Sequence, residues 1–135
     1  MPLDPRTPQI FSFEQTLAAL MPDASTQLLE GHVRQHPAAQ WLVGIKRYTD
    51  NQSVHSQHWE RHPRGDELLT LLEGRLRLRL RADGGETTLP LEAGQSVRIP
   101  QGCWHRLEAI APGKLMFITP TTDSEHRHVD SLQAN

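Results

Sequence analysis

At 135 residues the chain has room for one domain and not comfortably for two. Its 14 basic and 16 acidic residues leave a net charge near −2, which excludes the basic excess of a dedicated nucleic-acid surface and offers nothing to an anionic membrane. A single cysteine, Cys103, excludes an intrachain disulfide and fits a reducing compartment.

Residues 1–10, rich in proline and polar groups, read as a draped arm. Ser12-Phe13-Glu14-Gln15 has the form of a capping box and predicts a short helix over about Phe13–Leu20, stopping before Pro22. Residues 23–40 stay open: Leu28-Leu29-Glu30-Gly31-His32-Val33 suits either a strand or a helical turn. Together residues 1–40 form an N-terminal extension. From Trp41 the pattern becomes that of strands. Trp41–Tyr48 is one, Gln57–His62 is a second with polar groups on both faces, and Leu68–Leu72 is a short buried strand ending in a turn at Glu73-Gly74. Arg75–Arg81 alternates strictly with period two, leucines toward a core and arginines toward water. Asp83-Gly84-Gly85 is a hairpin turn, followed by strands over Thr87–Leu91, Ser96–Ile99, His105–Ile110 and Leu115–Thr119. Turns at Gly94, Pro100-Gln101-Gly102 and Pro112-Gly113 separate them, and a polar tail occupies 121–135. Many short strands punctuated every 8–12 residues predict a sandwich or barrel over 41–120. The N-terminus lacks a charged and apolar leader pattern and no run approaches the ~18 apolar residues of a membrane span, so a soluble, cytoplasmic protein is expected.

Eight histidines is a high count for this length, and His55, His58 and His62 lie close together. Side chains alternate along a strand, so His58, Glu60 and His62 share one face while Trp59 and Arg61 take the other. An inward row of this kind is costly unless something binds it.

Two segments carry a resemblance. In Glu60-Arg61-His62-Pro63-Arg64-Gly65-Asp66-Glu67, four residues separate His62 from Glu67 and six separate Glu67 from Gly74. In the stretch from Gly94 to His105, the residues Gly94, Pro100, Gly102 and His105 keep a second fixed spacing. These segments resemble the two signature motifs of the cupin family, small metal-holding β-barrels, with Glu60 where the family most often has its first histidine and Ala109 where it has an asparagine. The run Trp59 to Glu67, with Ile118-Thr119-Pro120 and Glu125-His126-Arg127, is also similar to a small group within that family.

The resemblance implies an antiparallel jelly-roll barrel, all-β apart from the N-terminal helix, that forms a homodimer. It also implies one divalent metal held by His62, Glu67 and His105 with Glu60 as a fourth donor. Two imidazoles and two carboxylates cancel a divalent charge, which favours iron(II) or manganese(II) over zinc or nickel and weakens the ion as a Lewis acid. If Glu60 does not ligate, it is the candidate catalytic base, or an acceptor that orients an imidazole. His58 and Cys103 are candidate substrate contacts, set against a solvated rim histidine and a small buried apolar group. His126 and His128 are placed in the tail, with a fold over the barrel mouth as one option. The implied function is dioxygenase- or isomerase-like chemistry on a small oxygenated metabolite, and the rival is a non-catalytic binding or sensing module.

Overall fold

The computed structural model describes residues 6–30, 36–82 and 84–132. It holds nine strands: β1 Thr16–Leu20, β2 Thr26–Glu30, β3 Trp41–Tyr48, β4 His58–Arg61, β5 Glu67–Ala82, β6 Gly85–Glu92, β7 Ser96–Ile99, β8 Trp104–Pro120 and β9 Glu125–His128. A single helical turn, α1, follows at Val129–Leu132. All pairings are antiparallel.

Two long strands organise the molecule. The first half of β5 (Leu68–Leu71) pairs with the end of β8 (Leu115–Ile118), and the second half (Leu76–Arg81) pairs with its beginning (Trp104–Ala109). The chain therefore bends between two sheet portions. One runs β2-β1-β3-β8-β5-β7 through the late part of β8 and the early part of β5, and the other runs β9-β4-β8-β5-β6 through the remaining halves.

The bend replaces the turns expected at Glu73-Gly74 and Pro112-Gly113. Gly74 takes a left-handed φ of 94°, and the register slips between Leu71 and Leu76. That bulge inverts the alternation. Glu67, Leu69 and Leu71 point inward before it, and Leu76 and Leu78 after it. The two strands cross so closely there that a Cβ on Gly113 would overlap the Glu73 carbonyl oxygen. Leu42, Leu69, Leu71, Leu76, Leu78, Ile99, Leu115 and Phe117 fill the space between the sheet portions.

Two expectations are corrected. No ladder among the described residues joins the outer strands, so the sheet is open rather than a closed barrel. The predicted N-terminal helix is absent as well. The Ser12 cap does form, with Gln15 and Thr16 N–H groups donating to the Ser12 carbonyl and Glu14 N–H to its hydroxyl, but it serves one turn. From Thr16 the chain is strand β1, lodged between β2 and β3 with Leu17, Ala18 and Ala19 all buried. Burial on both faces of a central strand outweighs the modest helix preference of a Leu-Ala-Ala run. Leu28, Leu29 and Glu30 belong to β2, whereas Gly31, His32 and Val33 lie outside the described residues, as does Asp83 of the β5–β6 hairpin.

Candidate metal centre

Each donor reaches the site from a different position in the fold. Glu67 opens β5 and, like Leu69 and Leu71, faces inward from the first sheet portion. His105 lies near the start of β8 in the second portion, opposite Glu60 of β4. His62 follows β4 by one residue, and the chain leaving it is tied down where Gly102 N–H donates to the His62 carbonyl. His62, Glu67 and His105 are buried, and Glu60 is about one-third exposed. One donor atom from each of the four falls within 4.8 Å of the other three.

The individual distances show how the groups satisfy one another. His62 Nε2 lies 2.7 Å from Glu60 Oε1 and 3.5 Å from Glu67 Oε2. His105 Nε2 lies 3.0 Å from Glu67 Oε1 and 3.9 Å from Glu60 Oε1, and the two rings are 5.5 Å apart centre to centre. Both imidazoles are held by their other nitrogen. His105 Nδ1 donates to the Cys103 carbonyl at 3.0 Å, and His62 Nδ1 is 2.8 Å from Ser124 Oγ. With Nδ1 engaged, each ring turns Nε2 toward the common centre, the arrangement usual for imidazole ligands.

Protonation follows from this crowding. Burial alone would raise the Glu67 carboxyl, but bonds from His105 and His62 outweigh it and lower the group. Glu60 behaves likewise: burial raises it, and His126 and His62 hold it well below the usual carboxylate range. Burial disfavours the charged form of His62, yet Glu60 and Glu67 push its pKa up to about 9. In the absence of an ion the cluster thus behaves as a compact network of carboxylates and imidazolium. A divalent cation suits it, because buried carboxylates require compensating positive charge.

The other candidate residues are placed as follows. His58 is exposed at the outer end of β4, 5.4 Å from the His128 ring. Cys103 is partly buried against the core, its Sγ nearest the Arg81 and Trp104 carbonyl oxygens, and burial raises its thiol. Neither belongs to the four-donor group. Asp66 tethers the neighbouring loop instead, its Oδ1 accepting from Gln101 N–H at 2.8 Å. Two contributors come from the tail: His126, whose fold over the site was one option in the sequence, and Ser124, which the sequence did not single out. His126 Nε2 stands 2.7 Å from Glu60 Oε2, and its pKa is raised by that bond; Ser124 meets His62. A separate cleft of about 390 Å³, lined by Leu78, Leu89, Pro90, Leu91 and Val97, contains none of the donors.

These features define a buried His/Glu cluster that could hold a metal ion, and comparison with known proteins places the chain in a family. The family described as Cupin domain matches residues 51–121, more than half of the chain, so the chain belongs to that family. No curated protein matches it. Among solved structures it is similar to a cupin-2 domain containing protein from Shewanella frigidimarina (24% identity, 60% of this chain and 71% of that one, TM-score 0.48). It is also similar to hydroxypropylphosphonic acid epoxidase from S. wedmorenis (21%, 61% and 44%, TM-score 0.50). A third is oxalate decarboxylase from Bacillus subtilis, in its E162A mutant (17%, 69% and 25%, TM-score 0.52). The chain thus spans less than half the length of the epoxidase and a quarter of the decarboxylase. At identities this low, the likeness to the epoxidase and the decarboxylase bears on the fold alone. No helix among the described residues is long and apolar enough to cross a membrane.

Proposed function

We propose that the protein is a metal-dependent cupin enzyme acting on a small oxygenated metabolite, with dioxygenase- or isomerase-like chemistry at one divalent ion. One observation carries the reading: His62, Glu67 and His105 are buried, and with Glu60 they bring four donor atoms within 4.8 Å of one another. Two imidazoles and two carboxylates suit iron(II) or manganese(II), with zinc and nickel as weaker fits. When bound, the ion would supply Lewis-acid polarisation to two adjacent substrate oxygens.

The protein's own groups do the rest. Glu67 and the two histidines are buried and would hold the ion. Glu60 is partly open to solvent, which would put it on the side from which a substrate could enter. If it does not ligate, Glu60, held ionised by its imidazole neighbours, is the candidate base and can accept a hydrogen bond from a substrate hydroxyl, and His126 on its other oxygen links it to solvent. His58, exposed farther along β4, and Cys103, beside His105, are the proposed outer substrate contacts. A cytoplasmic setting is part of the same reading, supported by the lone thiol. So is a homodimer, supported by the family resemblance and read by light scattering.

The test is metal analysis of protein purified without added metal, followed by assay of iron- and manganese-loaded protein against small hydroxy, keto and catechol-like compounds. One equivalent of metal and consumption of a panel member are expected. Tightly bound copper as sole metal, or no metal uptake, would overturn the reading. Saturable binding of a panel member without turnover would favour a sensing module instead.

A further inference from the structure

The family match ends at residue 121, yet the chain beyond it returns to the donor cluster. Asp123 takes a left-handed φ of 60°, and the chain reverses to lay β9 along β4 in the register Glu60↔His126. Four contacts clasp this strap. Asp123 pairs with Arg64, and both Glu125 oxygens accept from Arg61 Nη2 at 2.9 Å. Ser124 Oγ lies 2.8 Å from His62 Nδ1, and His126 Nε2 lies 2.7 Å from Glu60 Oε2.

The last two contacts fall on donors. The two histidines are also oriented in different ways. His105 is fixed by the backbone carbonyl two residues before it, which no side-chain substitution removes. His62 depends on a hydroxyl 62 positions away in sequence. Glu60 is similarly split, one oxygen toward His62 and the other toward His126, so the strap determines which face of the carboxylate turns inward.

We propose that residues 123–128 are a working part of the metal centre, with Ser124 and His126 as positioning residues for His62 and Glu60. By accepting from Nδ1, Ser124 fixes the ring plane and the tautomer that leaves the Nε2 lone pair free for the ion. His126 pins the rotation of the Glu60 carboxylate. The clasps at Arg61 and Arg64 hold the strap in the register that brings both contacts into place. This rests on the metal-centre reading and extends it beyond the family's matched segment.

Cobalt(II) titration of chelator-stripped full-length protein tests it, with affinity read by competition against a chromophoric chelator and coordination read from the visible absorption bands. Removing a partner that orients a ligand typically costs 10–100-fold in metal affinity. Ser124→Ala should weaken cobalt binding by about tenfold or more and alter the bands, and Ser124→Thr, which keeps a hydroxyl, should restore both. His126→Ala should weaken binding, and His126→Gln, which keeps a donor, should recover most of the loss. Metal-free melting temperatures should stay near that of the parent. Parent-like affinity and spectra in Ser124→Ala and His126→Ala would overturn the proposal while leaving the metal centre standing. Losses that track only a lowered metal-free melting temperature, with no rescue by threonine or glutamine, would also overturn it. Failure of the parent protein to bind cobalt would overturn the metal centre together with the proposal.

Discussion

His62, Glu67 and His105 are unequal in what surrounds them, but each is buried and each supplies a donor that the others cannot replace. Replacing His62, His105 or Glu67 with alanine should lower affinity for iron(II) or manganese(II) by at least about a hundredfold, as competition titration would show. Glu60→Gln, at the partly open corner, should lose less, about tenfold, because an amide oxygen still donates; a loss equal to that of His105→Ala would make Glu60 a full ligand. The protonation of the metal-free cluster adds a pH dependence. The folded pKa of His62, about 9, lies above the ordinary imidazole value of 6.5, so its stabilising contribution is complete below about 6.5 and is lost as pH rises through 9. Glu60 and Glu67 lie below the ordinary carboxylate value of 4.5, so their contributions are present above 4.5 and are lost as pH falls through the depressed values. Metal-free protein should therefore melt highest between about pH 4.5 and 6.5 and lower toward pH 9. A melting temperature that climbs from pH 6 to 9 in chelator would show that the network does not govern stability. The four donors were legible in the sequence because fixed motif spacings carry them. Ser124 was not, and His126 appeared only as one option, because their contacts depend on how β9 registers on β4, and a polar tail does not encode that register visibly.

At the level of elements, glycine decides the outcome twice, and the sequence reads it the same way both times. Gly74 and Gly113 were expected to end strands. Both instead sit inside long strands, where β5 and β8 cross. A glycine that permits a turn and one that permits a bulge or a close backbone approach look alike in sequence; only the partner strand distinguishes them. The burial pattern shows the consequence. The inward leucines at 76 and 78 were legible from period two, but the inversion of parity relative to Leu69 and Leu71 was not. Gly113→Ala should be among the most damaging single changes, since the added carbon would meet backbone rather than a movable side chain. Gly84→Ala, in open space at φ 82°, should cost only the conformational penalty of about 1 kcal/mol. Urea melts of the pair would check the contrast. Equal midpoints would mean that the crossing is slack. The missing N-terminal helix follows from the same limitation. Ser12 caps as expected, but β2 and β3 supply Leu17–Ala19 with partners that no local pattern announces.

Across the whole molecule, the site joins the two sheet portions. Glu67 comes from the first, while His105, Glu60 and His62 come from the second or its edge, so an ion held by all four would tie the facing sheets together near one end of the core. No ladder closes the described sheet, so such a tie would add a cross-link that the strand pairings do not supply. An ion that binds the folded state alone stabilises it by RT ln(1 + [L]/Kd), about 4 kcal/mol at a thousandfold excess over Kd. The melting temperature should therefore rise with added iron(II) or manganese(II) in the parent protein and stay flat in His105→Ala. Leu71→Ala separates this from ordinary core stability. Leu71 is completely buried, so its truncation should cost about 2–5 kcal/mol through lost contacts and the residual cavity. It lies away from the donors, so metal affinity should be unchanged and the metal-dependent rise in melting temperature should keep its size. If Leu71→Ala also weakened the ion tenfold, the two sheet portions would be so tightly coupled that core packing sets the donor spacing, and the centre could not be treated as a separable cross-link.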